Sequence, residues 1–108
     1  MITKKDIYDF LNSSQQKTLD LYKLLREDEY SKMNKRDYIK IIDRRNYTFD
    51  EGGLILELDL PRIKILRWKN KAHAWIDLTY FFPFWKQNTK NISRRGFFER
   101  LLENLNSR

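Results

Sequence analysis

Gly53-Leu54-Ile55-Leu56-Glu57-Leu58-Asp59-Leu60, then Pro61-Arg62, then Ile63-Lys64-Ile65-Leu66-Arg67-Trp68 is the stretch whose reading decides the fold. Leu54, Leu56, Leu58 and Leu60 alternate with Ile55, Glu57 and Asp59, the period-two pattern of a half-buried strand. Pro61-Arg62 breaks that run, and Ile63 and Ile65 alternate with Lys64 in a second strand to about Trp68. Lys69-Asn70-Lys71 turns the chain, after which Ala74, Ile76 and Leu78 alternate with His73, Trp75 and Asp77. Entered from an Asp50-Glu51-Gly52-Gly53 turn signal, this reads as a three-stranded antiparallel meander. Leu56, Leu58, Ile63, Ile65, Ile76 and Leu78 are the expected inner face, with Trp68, Trp75, Lys64 and His73 on the outer one.

Upstream the apolar period is helical. Thr3 and Asp6 form a candidate capping box ahead of Ile7, Phe10 and Leu11. A second helix is expected from about Gln15 to Glu27, stripe residues Leu21, Leu24 and Leu25. A third is expected from Asn34 to about Arg45, with Tyr38, Ile41 and Ile42 facing inward. Downstream, Tyr80-Phe81-Phe82-Pro83-Phe84-Trp85 reads as core, and Ser93 opens a last helix bearing Phe97, Phe98, Leu101, Leu102 and Leu105. The expected fold class is therefore α+β: N-terminal helices, a three-stranded antiparallel meander and a C-terminal helix, in one domain over residues 1–108.

Charge is divided unevenly. Residues 1–60 carry eleven Lys and Arg against twelve Asp and Glu, whereas residues 61–108 carry eleven against three. A half with a net charge of +8 suits a polyanionic partner, because each cation set on a phosphate releases condensed counterions; a positive surface also aids solubility. The absence of cysteine excludes a disulfide framework and a thiolate nucleophile and points to a reducing compartment, with cytoplasm as the expectation. The longest near-apolar run, Leu78 to Trp85, falls well short of the roughly 20 residues a spanning helix needs, so no membrane partner is expected.

The single histidine, His73, excludes an HExxH zinc site, and three glycines leave no phosphate loop. Glu57 and Asp59 share a strand face, but Lys64 and Arg62 opposite them make cross-strand charge pairs the simpler reading, so neither metal nor other cofactor is expected. From 62 to 90, Arg62, Lys64, Arg67, Lys69, Lys71, Lys86 and Lys90 are interleaved with Trp68, His73, Trp75, Tyr80 and Trp85. That mixture suits backbone neutralisation combined with base stacking.

In layout the chain resembles the RelE/HigB superfamily of small basic toxins, ribosome-dependent mRNA endonucleases of toxin–antitoxin systems. Ile7-Tyr8-Asp9-Phe10-Leu11 is similar to the start of the family's helical hairpin, and Gly53-Leu54-Ile55-Leu56-Glu57-Leu58 to its Gly-Leu-x-Glu-Leu strand. Ile63 to Trp68 is similar to the basic-aliphatic strand after it, and Phe84-Trp85-Lys86 with Lys90 to its lysine-rich segment. The chain departs at Asp59, where the family typically has arginine, and at Gln87, which interrupts the lysine pair. The resemblance implies a metal-independent endoribonuclease acting on RNA at the ribosome, with an acidic antitoxin as partner. Lys64, Arg67, Lys86 and Lys90 would then clamp the phosphate, and His73 or Tyr80 would carry the proton.

Two other classes fit the same residues. One is a non-enzymatic inhibitor of phage or mobile-element type, binding a nucleic-acid-handling target protein, or nucleic acid, through Arg62, Trp68, Lys69, Lys71, Trp75, Lys90, Arg94 and Arg95. The other is a DNA-binding regulator using Asn34 to Arg45 as a recognition helix, with Arg36, Lys40, Arg44 and Arg45 as its cations.

Overall fold

In the computed structural model, which describes residues 2–88, Phe49–Asp59 forms one eleven-residue strand, β3, and every other strand is placed by it. Its first half pairs with β2 (Tyr38–Asp43) and its second half with β4 (Arg62–Arg67), which in turn pairs with β5 (His73–Asp77). β6 (Phe81–Lys86) returns to the far side of β2, and the two-residue β1 (Lys23–Leu24) closes that edge. The result is a six-stranded antiparallel sheet in the order β1-β6-β2-β3-β4-β5. Two short helices, α1 (Lys4–Tyr8) and α2 (Ser13–Leu19), and a 3-10 helix (Glu27–Lys32) pack against it.

The expected fold class is thereby corrected: the β3–β4–β5 meander is half of a larger sheet, and helical content is small. The segment read as a third helix is β2. Ile39 and Ile41 point to one face and Ile42 to the other, and all three are fully buried because both faces are covered there. A strand buried on both sides loses its alternation, and Tyr38, Ile41 and Ile42 then mimic helical spacing. The second helix ends at Leu19, not Glu27; Asn12 caps it, accepting from the Gln15 N–H at 2.8 Å while the Gln15 side chain accepts from the Asn12 N–H. The Thr3/Asp6 capping box on α1 is present as expected. The helix expected after Ser93 lies outside the described residues.

Gly52 and Gly53 make no turn; they sit inside β3 as a bulge. Gly52 holds a left-handed φ of +64°, and a Cβ there would overlap the Ile39 carbonyl oxygen. A Cβ on Gly53 would overlap the Leu66 carbonyl oxygen of the other neighbouring strand. Asp50 clamps the bulge, accepting the Gly52 N–H at 2.8 Å and both oxygens taking the Arg67 guanidinium at 3.0 and 2.8 Å. A second irregularity, between Ile55 and Glu57, again shifts which residues face inward. Ile55 therefore replaces Leu56 in the expected inner face, joining Ile63, Ile65, Ile76 and Leu78.

Two cores follow, on opposite faces. The back of the sheet buries these residues with Ile39 and Ile41 under Leu25, Tyr30 and Met33 of the segment around the 3-10 helix. The front buries Ile42, Phe82 and Phe84 under Ile7 of α1, Leu19 of α2 and Leu11 between them, but only over the β6–β2 half. Pro83 is tolerated inside β6 because its carbonyl faces β1, accepting the Leu25 N–H at 3.0 Å, so its missing N–H would point past the short β1 rather than at β2. Asp37, fully buried, binds the β2 entry to the end of β6: it accepts from Trp85 Nε1 (3.0 Å), the Asn88 N–H (3.0 Å) and the Asn34 N–H (2.9 Å).

Gly53→Ala is expected to lower unfolding free energy by about 3 kcal/mol or more, read from urea denaturation, because backbone rather than a flexible side chain must yield. A second expectation concerns Glu29. Hydrogen bonds from Lys23 (2.8 Å), from Lys32 (3.0 Å) and from the Arg26 N–H hold its carboxyl down at about 2 against an ordinary 4.5. The folded value lies below the unfolded one, so this stabilisation is complete above pH 4.5 and fades as pH falls toward 2. Thermal melts of Glu29→Gln should lie below those of the parent at pH 7 and coincide with them near pH 2.

A candidate nucleic-acid interface on the open half of the front face

Register places the site. Lys86, Tyr38, Leu54, Leu66 and His73 lie side by side in one row across β6, β2, β3, β4 and β5, all on the front. The next row holds Glu57, Lys64 and Trp75, and the one after it Asp59, Arg62 and Asp77. Trp68, just past β4, leans on the Tyr38 ring at 5.9 Å between centroids, and the Lys71 ammonium lies 5.8 Å from the Trp68 ring. Arg62 lies 5.6 Å from the Trp75 ring and also bonds Asp59 at 2.7 Å. Trp75 is 50% exposed. Among the described residues no helix covers these rows, because α1 and α2 pack only on the half lined by Ile42, Phe82 and Phe84.

Of the expected site residues, Arg62, Lys64, Trp68, Lys71, His73, Trp75 and Lys86 come to this face or its rim. Lys69 stands exposed in the β4–β5 turn, beside a cleft of about 570 Å³ that it shares with Arg67, Asp50 and Gly52. Arg67 faces the back, and its guanidinium is committed to Asp50. Lys90, Arg94 and Arg95 lie outside the described residues.

Lys64, Arg67, His73 and Lys86, expected to share a catalytic centre, are therefore spread apart. Lys86 and His73 stand four strands away from each other, about 19 Å at 4.8 Å per strand, and Arg67 is on the opposite face. Lys64 and His73 are diagonal neighbours on β4 and β5. Among the described residues no group of three His, Asp or Glu gathers to hold a metal, and no helix is long and apolar enough to cross a membrane.

Tyr38 is the site residue that sequence reading turned inward. The signal that would have found it is the alternation Tyr38-Ile39-Lys40-Ile41, polar faces outward and Ile39 and Ile41 buried. Lys40, two residues along on the same face, is a fixture of the front core rather than of the open surface: its ammonium lies 5.4 Å from the Tyr22 ring and 6.0 Å from Phe49, and burial lowers its pKa. The recognition helix expected over Asn34 to Arg45 does not exist, and its cations are dispersed: Arg44 lies against Phe82 and bonds the Phe81 carbonyl, and Arg45 bonds Asp43.

Compared with protein-family models, with curated proteins and with solved structures, the chain matches none significantly. The face is accordingly read from its own chemistry: indole rings with cations beside them, among lysines and the carboxylates of Glu57, Asp59 and Asp77.

Exposure sets Trp75 apart from the other two tryptophans. Trp75→Phe should remove the largest share of acrylamide-quenchable emission, and Trp85→Phe the smallest, because the Trp85 indole is bonded to buried Asp37.

Proposed function

We propose that this chain binds single-stranded RNA on the open half of its front face, as an RNA-directed module that acts by binding rather than by cleavage. The observation that carries the reading is the shared face of Trp68, Trp75 and Tyr38 with Lys64, Lys71 and Lys86, contributed by β2, β4, β5, β6 and the β4–β5 turn. Flat aromatic rings on an antiparallel sheet accept unstacked bases of any identity, and lysines around them neutralise the phosphates between. Base stacking contributes about 1–3 kcal/mol per aromatic ring, enough for useful affinity from two or three rings. A double helix, with its bases already stacked, has no comparable fit to exposed indoles.

The wide spacing of Lys64, Lys86 and Arg67 favours binding over cleavage, since phosphoryl transfer needs its acid, base and cations within hydrogen-bond reach of one phosphate.

The test is a tryptophan-fluorescence titration with a short single-stranded RNA at several salt concentrations. Log K should fall linearly with log salt, and Lys64→Ala and Lys86→Ala should each flatten the slope by about 0.7. Trp75→Ala should weaken binding about tenfold or more without changing the slope. Absence of binding at low salt overturns the proposal, and metal-free scission of the RNA, abolished by His73→Ala, would replace it with a cleavage reading.

A further inference from the structure

Among the described residues no strand pairs with the outer side of β5, at one edge of the sheet, and its backbone is arranged to receive another strand. The Arg67 N–H donates to the Ala72 carbonyl at 2.9 Å and the Leu78 N–H to the Pro61 carbonyl at 2.8 Å, which fixes the phase of the β4–β5 ladder. Ala72, Ala74, Ile76 and Leu78 therefore turn their backbone groups toward β4, whereas His73, Trp75 and Asp77 turn theirs outward. Sheet edges are ordinarily blunted by proline, lysine or an inward-pointing charge. β5 has none of these: its inward side chains are Ala74 and Ile76, and its centre is Trp75.

The sequence of this edge is complementary to itself. We propose that a second copy of the chain pairs with it, β5 against β5 in antiparallel fashion about a two-fold axis at Trp75, giving a continuous twelve-stranded sheet. Only outward-facing residues can exchange ladder hydrogen bonds, so the admissible registers pair 73, 75 and 77 among themselves. Centred on Trp75, His73 of each copy stands opposite Asp77 of the other, and the two indoles meet at the axis. A slip of two residues either way centres the pairing on Ala74 or Ile76, sets His73 opposite Trp75 or Thr79 instead of Asp77, and shortens the ladder. In the centred register the Trp75 N–H groups bond the Trp75 carbonyls reciprocally, and the Asp77 N–H groups bond the His73 carbonyls. The Asp77 carbonyl already accepts the Tyr80 N–H at 3.0 Å within the turn.

Net charge does not prevent this approach. Close to the axis, Arg62 is bonded to Asp59 and flanked by Asp77 in register, and Lys64 faces Glu57, so the cations that repel are those farther along the face. The pairing would join the two open front faces into one surface of doubled length, but it stands whether or not that surface binds RNA.

Sedimentation equilibrium without nucleic acid tests it. The expected mass is about twice the 13.4 kDa of the chain at micromolar concentration. Trp75→Pro removes an outward N–H and leaves the β4 ladder intact, so it should yield a folded monomer. His73→Asp, which sets like charges opposite each other, should raise the dimer dissociation constant about tenfold. Should Trp75→Pro fail to fold, Trp75→Cys serves: in a chain without other cysteines it should form a covalent dimer under mild oxidation, faster than Lys69→Cys in the neighbouring turn. A monomeric parent at high micromolar concentration, or equal cross-linking of the two cysteine variants, overturns the pairing.

Discussion

Everything in this fold depends on how closely two carbonyl oxygens approach β3 at Gly52 and Gly53. The Ile39 carbonyl comes in from β2 and the Leu66 carbonyl from β4, each occupying the space of a Cβ. Here β3 stops being the partner of one strand and becomes the partner of the next, and the bulge exchanges its faces: Phe49 serves the front core and Ile55 the back. A regular strand of the same composition would present one apolar face and leave the other core without a wall. Asp50 and Arg67 tie the bulge down from the back, so the arginine that looks available in sequence holds the backbone in place.

That exchange of faces is also what leaves a surface free. The helices have enough apolar side chains to cover the front over β6 and β2 and no further. Beyond that boundary the outward positions are mixed: Leu54, Glu57 and Asp59 on β3, Arg62, Lys64 and Leu66 on β4, and His73, Trp75 and Asp77 on β5. The cation–ring pairs Arg62 with Trp75 and Lys71 with Trp68 are weak, about 0.5–1 kcal/mol each where exposed.

The sequence was most legible where a strand has one wet face. β4 and β5, the turn at Lys69 to Lys71 and the outward placement of Lys64, His73, Trp68 and Trp75 all follow from simple alternation, and the Thr3 cap from its spacing to Asp6. It was illegible where both faces are dry. Ile41-Ile42 in β2 and Phe82-Pro83-Phe84 in β6 are consecutively buried, so no period survives to distinguish strand from helix. Paired glycines are equally ambiguous, since turns and bulges call for the same φ. The catalytic grouping failed for a different reason. Closeness in sequence between Lys64 and Arg67 puts them on opposite faces of one strand, and Lys86 is carried to the other side of the sheet by the return of β6.

The place of β6 has a consequence for how the molecule is made. It inserts between β1 and β2, so Lys23 and Leu24 have no neighbour in the sheet until residues 81–86 have been synthesised. Until then β2 presents one bare edge, and the pocket for Phe82 and Phe84 under α1 and α2 stands empty. The nascent protein is thus committed to late closure: pairings that are distant along the chain finish the sheet, folding is slowed by that loop entropy, and a ribosome stalled before residue 81 would carry an open, adhesive sheet rather than a smaller stable domain.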